Sequence, residues 1–497
     1  MDDVIRFGVI IAVLSLAGLC AVWSNRASQR IRIPAPALFL VAAAVASDLV
    51  PALGRVPILT VQRVVTVMLV LLLFDGGMHI GWRRFRATAA PVVWIGAAGT
   101  AITAAGITAL AHAVFGFDWR AALLLGVALS PTDPAVVFSV LGRREITGRS
   151  GTLLEGESGA NDPVGIAAMA AVLTAGTGGW PAIGAGLGTF AAQMTIGAAA
   201  GITGGYLLSL AMRRLPLPNA ALYPLQTLLG AGTIYGLTTL AHGSGFLAVF
   251  TAGILVGDLR APYKAEIERF HSSLASLAEI IAFTMLGLTV SVRGLTDGTG
   301  WLVGLGIAVF LAVLVRPVAI GLLLLPINLS RGERVFVAWS GLKGAVPILL
   351  GTYILSAHVA DGTQLYQIVV VVVAFSVIVQ GGLVPVVAHR AGVPMRVLEP
   401  EPWALGMRFR HEPAGLRRFQ ITAGAPADGC TIAGLALDED TWISMINRSG
   451  RLVPVRGTTT LQAGDEVLLL SDPDGDVDPG PLFTTRQHPA KRGGHAG

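Results

Sequence analysis

The sequence predicts an all-α polytopic membrane protein carrying a small α/β cytosolic domain at its C-terminal end. Three observations predict it. Only 13% of the residues are charged, against 53% hydrophobic, where soluble globular chains carry about 25% charge. Apolar runs near the ~20 residues needed to cross a bilayer recur up to about residue 390. After about residue 395 the texture changes to short β-prone segments such as "TWISMINR" and "DEVLLL", separated by Gly, Asp and Pro. The 62 glycines suit closely packed transmembrane helices.

Taken in order, the runs give about thirteen spans. They cover residues 4–23, 35–52, 61–80, 88–115, 120–141, 152–175, 186–211, 222–241, 244–258, 271–292, 301–327, 334–357 and 364–389. Within 222–258, Gly243-Ser244-Gly245 reads either as a tight turn or as an interruption. The first span follows Met1-Asp2-Asp3 and lacks a small-residue cleavage site, so it reads as a retained helix and not a signal peptide. Loop charges alternate with this count. One side carries 18 Arg and Lys, from Arg26 to Arg396, and the other only Arg6, Arg55, Arg63, Arg120 and Arg293. The positive-inside rule then puts the N-terminus outside and the C-terminus in the cytosol. The net charge of +5 is a topology signal and not a nucleic-acid footprint. Cys20 and Cys430 fall in a span and a polar tail, and predict no disulfide. The domains read as 1–395 for the membrane part, 403–485 for the cytosolic domain and 486–497 for a disordered tail.

Charge inside a bilayer is expensive and marks function. Asp75 ends the third span in "LLLFDGGMH". Thr132-Asp133-Pro134 interrupts the fifth. Glu155, Glu157, Asn161 and Asp162 open the sixth, with Glu155 read as a helix cap. Arg316 interrupts the eleventh in "AVLVRPVAI", and Lys343 sits in the twelfth in "SGLKGAVPILL". Pro131 and Pro134 remove amide donors and disfavour helix before them. Gly341, Gly344 and Pro347 make a matching defect in the twelfth span. Two interrupted spans at comparable places in two halves point to a transporter built on inverted repeats. Their half-helix ends need acid near the positive N-termini and base near the negative C-termini. Asp133 and Lys343 suit these two tasks.

Asp162 is the candidate for transported charge. Desolvation lets a carboxylate hold a proton near neutral pH, and its oxygens equally suit a bare monovalent cation. Asn161, Ser158 and Thr132 offer neutral oxygens beside it. Glu157 and Arg316 suit a neutralised pair. Asp75 is an accessory candidate. His79, His112 and His242 lie near span ends and read as interfacial. "GESGA" has a misplaced second glycine and no preceding strand, so it is not a nucleophile elbow; the chain does not read as an enzyme.

"LLLFDGGM", "SPTDPAVVFSVLG", "LLEGESGANDPVGI" and "WSGLKGAVPI", in that order, resemble the signature segments of the NhaP-type monovalent cation/proton antiporter family. The resemblance covers about residues 1–395. It implies a 13-helix protein with a core and a dimerisation domain, alternating access by an elevator-like movement, and a homodimer. It puts the ion-site aspartate on Asp162 and its partner on Asn161, with Thr132, Asp133, Glu157, Ser158 and Arg316 in supporting places. Members with Asn-Asp at this place are electroneutral. Lys343 stands where many relatives have arginine. The tail, through "TIAGLAL" and "ISMINRSGRLVPVRGTTTLQAGDEVLLL", resembles an RCK_C (TrkA-C) domain without the nucleotide-binding half. That fusion resembles the potassium/proton antiporters of the cell volume regulation protein A subgroup.

The expected function is therefore secondary-active potassium/proton antiport in the plasma membrane, with K⁺ or Na⁺ bound at Asp162 as cargo. No cofactor is expected beyond a small regulatory ligand at the tail, whose identity the residues do not give. The expected partners are the bilayer, the cation, the proton and a second copy of the chain, and no nucleic acid. A sodium/proton antiporter is the rival within transport. An ion channel with a regulatory tail is the rival from another class.

Overall fold

A computed structural model of the chain describes residues 5, 8, 11–12, 15–16, 18–23, 34–141, 144–146, 149–175, 180–258, 263–295, 299–397, 416–435, 437, 441–448, 451–470 and 479–484. Part of the first predicted span and all of the predicted tail lie outside these residues. The chain divides into two compact units, Met1–Glu401 and Pro402–Gly497.

The first unit is helical. Its elements are α1 (Ala35–Leu49), α2 (Ile58–Val93), α3 (Thr100–Ala113), α4 (Trp119–Ala128), α5 (Pro134–Leu141), α6 (Arg149–Ala175), α7 (Trp180–Arg214) and α8 (Leu222–Leu240). There follow α9 (Gly245–Gly257), α10 (Lys264–Gly287), a single turn at Val292–Leu295, α11 (Gly300–Phe310), α12 (Arg316–Leu323), α13 (Arg331–Trp339), α14 (Ala345–Ser356), α15 (Gly362–Phe375) and α16 (Gly381–Arg390). Among the described residues, six stretches are long and apolar enough to cross a bilayer: Ile58–Arg86, Thr88–Ala113, Gly184–Arg214, Lys264–Gly287, Gly300–Leu323 and Gly362–Arg390. Large apolar side chains such as Leu229, Leu237, Leu240 and Val313 stand exposed on the outer helix faces, as a lipid-facing surface requires. Gly77 and Gly253 bring α2 and α9 into backbone contact, and a side chain at either place would run into the other helix.

Local sequence accounts for the breaks. Ser244 caps α9 by accepting from the Leu247 amide at 3.3 Å, so Gly243-Ser244-Gly245 is a tight turn between two helices. Three helix pairs run on through a π-helical turn: Trp94–Gly99 before α3, Leu311–Val315 between α11 and α12, and Ser376–Gln380 between α15 and α16.

Three expectations are corrected. Asp75 does not end its span, because α2 continues past it to a kink at Gly81 (φ 65°, ψ 160°). There the Asp258 carboxylate accepts the Arg83 amide in place of the broken helical bond, so Arg83, Arg84 and Arg86 stand on helix and not in a loop. Glu155 is not a cap, since α6 already begins at Arg149. For the same reason Glu157, Asn161 and Asp162 do not open the sixth span; they lie in its middle. No proline separates Arg149 from Glu155, and the helix runs through Ser150 and Gly151.

A two-stranded antiparallel ladder, β1 (Arg144–Ile146) with β2 (Met395–Val397), ties the segment after α5 to the segment after α16. The second unit is a four-stranded antiparallel sheet of β3 (Leu416–Gln420), β4 (Trp442–Arg448), β5 (Arg451–Val453) and β6 (Glu466–Leu470), in the order β3-β6-β4-β5. A single helical turn, Gly480–Phe483, follows. Ile421, Ile443, Ile446, Val467, Leu469 and Phe483 form its core. Asp465, 1% exposed, accepts from Arg448 Nε and Nη2, each at 2.7 Å, and from the Gln462 amide at 2.9 Å. Asp465→Ala is expected to cost this unit about 2–3 kcal/mol. Amide hydrogen exchange of the full chain checks this: β3, β4 and β6 should exchange faster while the membrane helices keep their protection.

Candidate ion-binding site

The site is built where two interrupted helices cross. Asp118 caps α4 by accepting the Arg120 and Ala121 amides at 2.8 and 3.1 Å. The helix stops at Ala128, since Pro131 and Pro134 cannot continue it. On the other side, a capping box between Ser330 and Glu333 starts α13. That helix ends at Trp339, and α14 starts at Ala345. The two irregular stretches, 129–133 and 340–344, meet through one backbone bond, from the Asp133 amide to the Leu342 carbonyl at 2.8 Å.

Charges sit at the freed helix ends. Lys343 Nζ donates to the Ser130 and Pro131 carbonyls at 3.1 and 3.0 Å, just past the C-terminus of α4. Asp133 Oδ1 accepts the Ala135 amide at 2.9 Å at the N-terminus of α5, with the Ala345 amide of α14 beside the same carboxylate. These are the places where the helix dipole favours a cation and an anion. The fit leaves no room for side chains: a Cβ at Gly344 would overlap Asp133, and one at Gly341 would overlap the Arg316 guanidinium.

The middle of α6 packs onto this crossing. Asn161 clamps Thr132, accepting its amide on Oδ1 at 3.3 Å and donating from Nδ2 to its hydroxyl at 2.7 Å. Ser158 Oγ donates to the Thr132 carbonyl at 2.6 Å. Glu157 and Arg316 pair at 2.9 Å while both are almost fully buried. Arg316 Nε also donates to the Ala338 carbonyl at 3.1 Å, which ties α12 to the end of α13. Asp162 is 8% exposed, and its Oδ1 is fully buried with no hydrogen-bond partner among the described residues. Buried acceptors are rarely left so. Pro163 has no amide to give the Gly159 carbonyl, which frees a second acceptor in the same turn. An unmatched carboxylate oxygen among neutral hydroxyl and carbonyl oxygens is a place for a proton or a small cation.

The structure thus gathers Thr132, Asp133, Glu157, Ser158, Asn161, Asp162, Arg316 and Lys343 into one cluster. Asp75 has other partners, Ser272 Oγ at 3.4 Å and His79 at 3.4 Å. His112 Nδ1 bonds the Phe117 carbonyl at 2.8 Å and its ring stacks on Trp119, a role in the turn before α4.

Sequence reading missed a second set of supports. Ser376 Oγ accepts the Lys343 amide at 2.9 Å and donates to Gln380 Oε1 at 3.1 Å, while Gln380 Nε2 donates to the Trp339 carbonyl at 2.6 Å. The π-helical turn Ser376–Gln380 therefore braces the break in α13–α14. The available signal was two polar residues inside the apolar run "VVVVVAFSVIVQGG". A buried histidine, His271, was also missed; its Nε2 bonds Thr227 Oγ1 at 2.8 Å and its ring lies against Phe74.

Comparison with known proteins decides the family. Residues 11–390 match the family described as "Sodium/hydrogen exchanger, transmembrane". The chain belongs to that family. It is an integral, multi-pass membrane exchanger of that fold, and residues 416–475 match the TrkA-C domain. Among similar curated proteins is the K(+)/H(+) antiporter NhaP of Alkalimonas amylolytica, 36% identical over 76% of this chain and 66% of its own length. Another is the K(+)/H(+) antiporter NhaP2 of Shewanella sp. strain MR-4, 30% identical over 94% of this chain and 82% of its own. Among solved structures, the sodium proton antiporter MjNhaP1 of Methanocaldococcus jannaschii superposes with a TM-score of 0.64. It is 20% identical and is covered over 98% of its length, against 78% of this exchanger.

Proposed function

We propose that the protein is a secondary-active monovalent cation/proton antiporter that exchanges potassium for protons one for one, with Asp162 binding either ion in turn. The observation that carries this is the charge count at the crossing. Asp133, Glu157 and Asp162 stand against Arg316 and Lys343, and the one acid in excess has a buried oxygen with no hydrogen-bond partner among the described residues. A proton or a monovalent cation neutralises the cluster equally, so either loaded form can cross the membrane's low dielectric without carrying net charge. An empty site leaves a buried charge, which opposes uncoupled movement. Potassium is favoured by the two relatives named as K(+)/H(+) antiporters. The sodium antiporter among the solved structures supports the fold alone, given its 20% identity.

In this reading the protein is a homodimer of the plasma membrane, with the N-terminus outside and the C-terminus in the cytosol. The TrkA-C unit tunes exchange, through a small ligand of a class the structure does not specify. The test is proton movement in proteoliposomes, with K⁺, Na⁺, Li⁺ and Rb⁺ offered singly and in competition. K⁺ should drive the fastest exchange, and flux should stop when the cation gradient equals the opposing proton gradient. A thiocyanate-imposed membrane potential should not move that balance point. Its displacement would rule out one-for-one exchange, and unitary currents in a planar bilayer would favour a channel.

A further inference from the structure

One acid inside the bundle is left unused by this account. Glu279 lies in the interior of α10, within the apolar stretch "AEIIAF", so it caps no helix end. Its Oε1 is fully buried, and no hydrogen bond or ion pair engages it among the described residues. Glu279 as a whole is half-buried. An acid with a fully buried oxygen normally has one of those structural reasons, and among the described residues Glu279 has none. Its surroundings point to the ion path. Asp133 lies within electrostatic reach of both Asp162 and Glu279. Glu279 is seven residues beyond Ser272, two helical turns or about 10 Å along the same face. Ser272 on that face reaches Asp75 on α2. The helix α10 packs on α2 and on α14. Between those two helices Gln62 Nε2 donates to Thr352 Oγ1 and Ser356 Oγ, each at 3.2 Å. Thr352 and Ser356 lie in the last turns of α14, so polar groups mark the α2–α14 seam at the end of the helix away from the crossing.

We infer that Glu279 is a second ion-handling carboxylate, a waystation between Asp162 and the end of the bundle where α14 terminates. It holds one proton or one cation at a time and gives it up as it takes the other, so a passage through it leaves one-for-one exchange unchanged. The inference rests on the antiport reading, and its loss is separable from that reading.

The experiment compares E279Q, E279D and E279A with the parent chain in proteoliposomes. In the E279Q variant the maximal exchange rate should fall about a hundredfold, the lower end of what a positioned proton-transfer group contributes, with the apparent cation KM little changed. E279D should keep most of the rate. A carbodiimide, which couples to protonated carboxyls in apolar surroundings, should label Glu279 in a D162N background, where Asp162 cannot compete. K⁺ should slow that labelling relative to choline. An E279Q protein at the parental rate overturns the inference, as does labelling indifferent to K⁺. Equal loss of rate in E279Q and E279D, with a lowered melting temperature in both, overturns it in favour of a packing role. If D162N is inactive while E279Q exchanges normally, the antiport reading stands and only this inference fails.

Discussion

Asp162→Asn should abolish cation-dependent proton movement in proteoliposomes while leaving the protein folded. Asparagine matches aspartate in size, and Asp162 Oδ1 makes no hydrogen bond that the change could remove. What changes is charge. In the D162N variant the cluster at the crossing holds two acids and two bases, neutral with no ion bound, so no charge is left at the crossing for a proton or cation to neutralise. Leaving an unpaired buried charge costs stability, and this substitution removes one. The melting temperature in detergent should therefore equal or exceed that of the parent. A pH-sensitive dye inside the vesicles reads the exchange, and fluorescence-monitored unfolding reads the fold. Exchange at the parental rate would overturn the assignment of Asp162. Lost exchange together with a lower melting temperature would instead make Asp162 a structural residue.

Much of this site was legible because the bilayer makes polar residues costly. Asp133, Glu157, Asp162, Arg316 and Lys343 stand out in apolar runs, and Pro131, Pro134, Gly341 and Gly344 announce two broken helices in the sequence itself. The helix-end logic that suits Asp133 and Lys343 to opposite tasks follows from dipole direction alone. Other parts were not legible. Hydropathy reports where a span lies but not where its helix starts, which is why α6 beginning at Arg149 displaces Glu155 from a cap. It is also blind to the kink at Gly81, which depends on Asp258, 177 residues further on in the chain. Ser376 and Gln380 were hidden for a different reason. Uncharged polar side chains are tolerated in membrane helices, so their bracing of Lys343 and Trp339 appears only once α15 and α16 are set against the break. Glu279 carried the same signal as Asp162, an acid inside a span, but without a proline or glycine beside it to mark a break.

Separating Glu157 from Arg316 should damage the fold, and the two halves of the pair should not be equivalent. The ions lie 2.9 Å apart with side chains 3% and 2% exposed. Removing one partner of such a pair leaves an uncompensated charge and costs about 3–5 kcal/mol. A carboxylate left alone can take up a proton. A guanidinium keeps its charge. Glu157→Gln should therefore be the worse single change, with Arg316 trapped as a cation between α6 and α12, and Arg316→Met the milder. Arg316 also donates to the Ala338 carbonyl, so its loss still loosens the start of the break in α13–α14. The double variant removes both charges together. It should recover about 2 kcal/mol relative to the sum of the single losses, in the range found for directly coupled residues. Folded yield and melting temperature of the three variants in detergent form the double-mutant cycle. Equal and additive losses would mean that the pair acts only by packing. Function should separate from stability in the double variant. It keeps one acid in excess at the crossing, because Asp133 and Lys343 still balance and Asp162 is untouched. Exchange should persist there at a reduced rate, whereas no gain in stability should restore it to D162N.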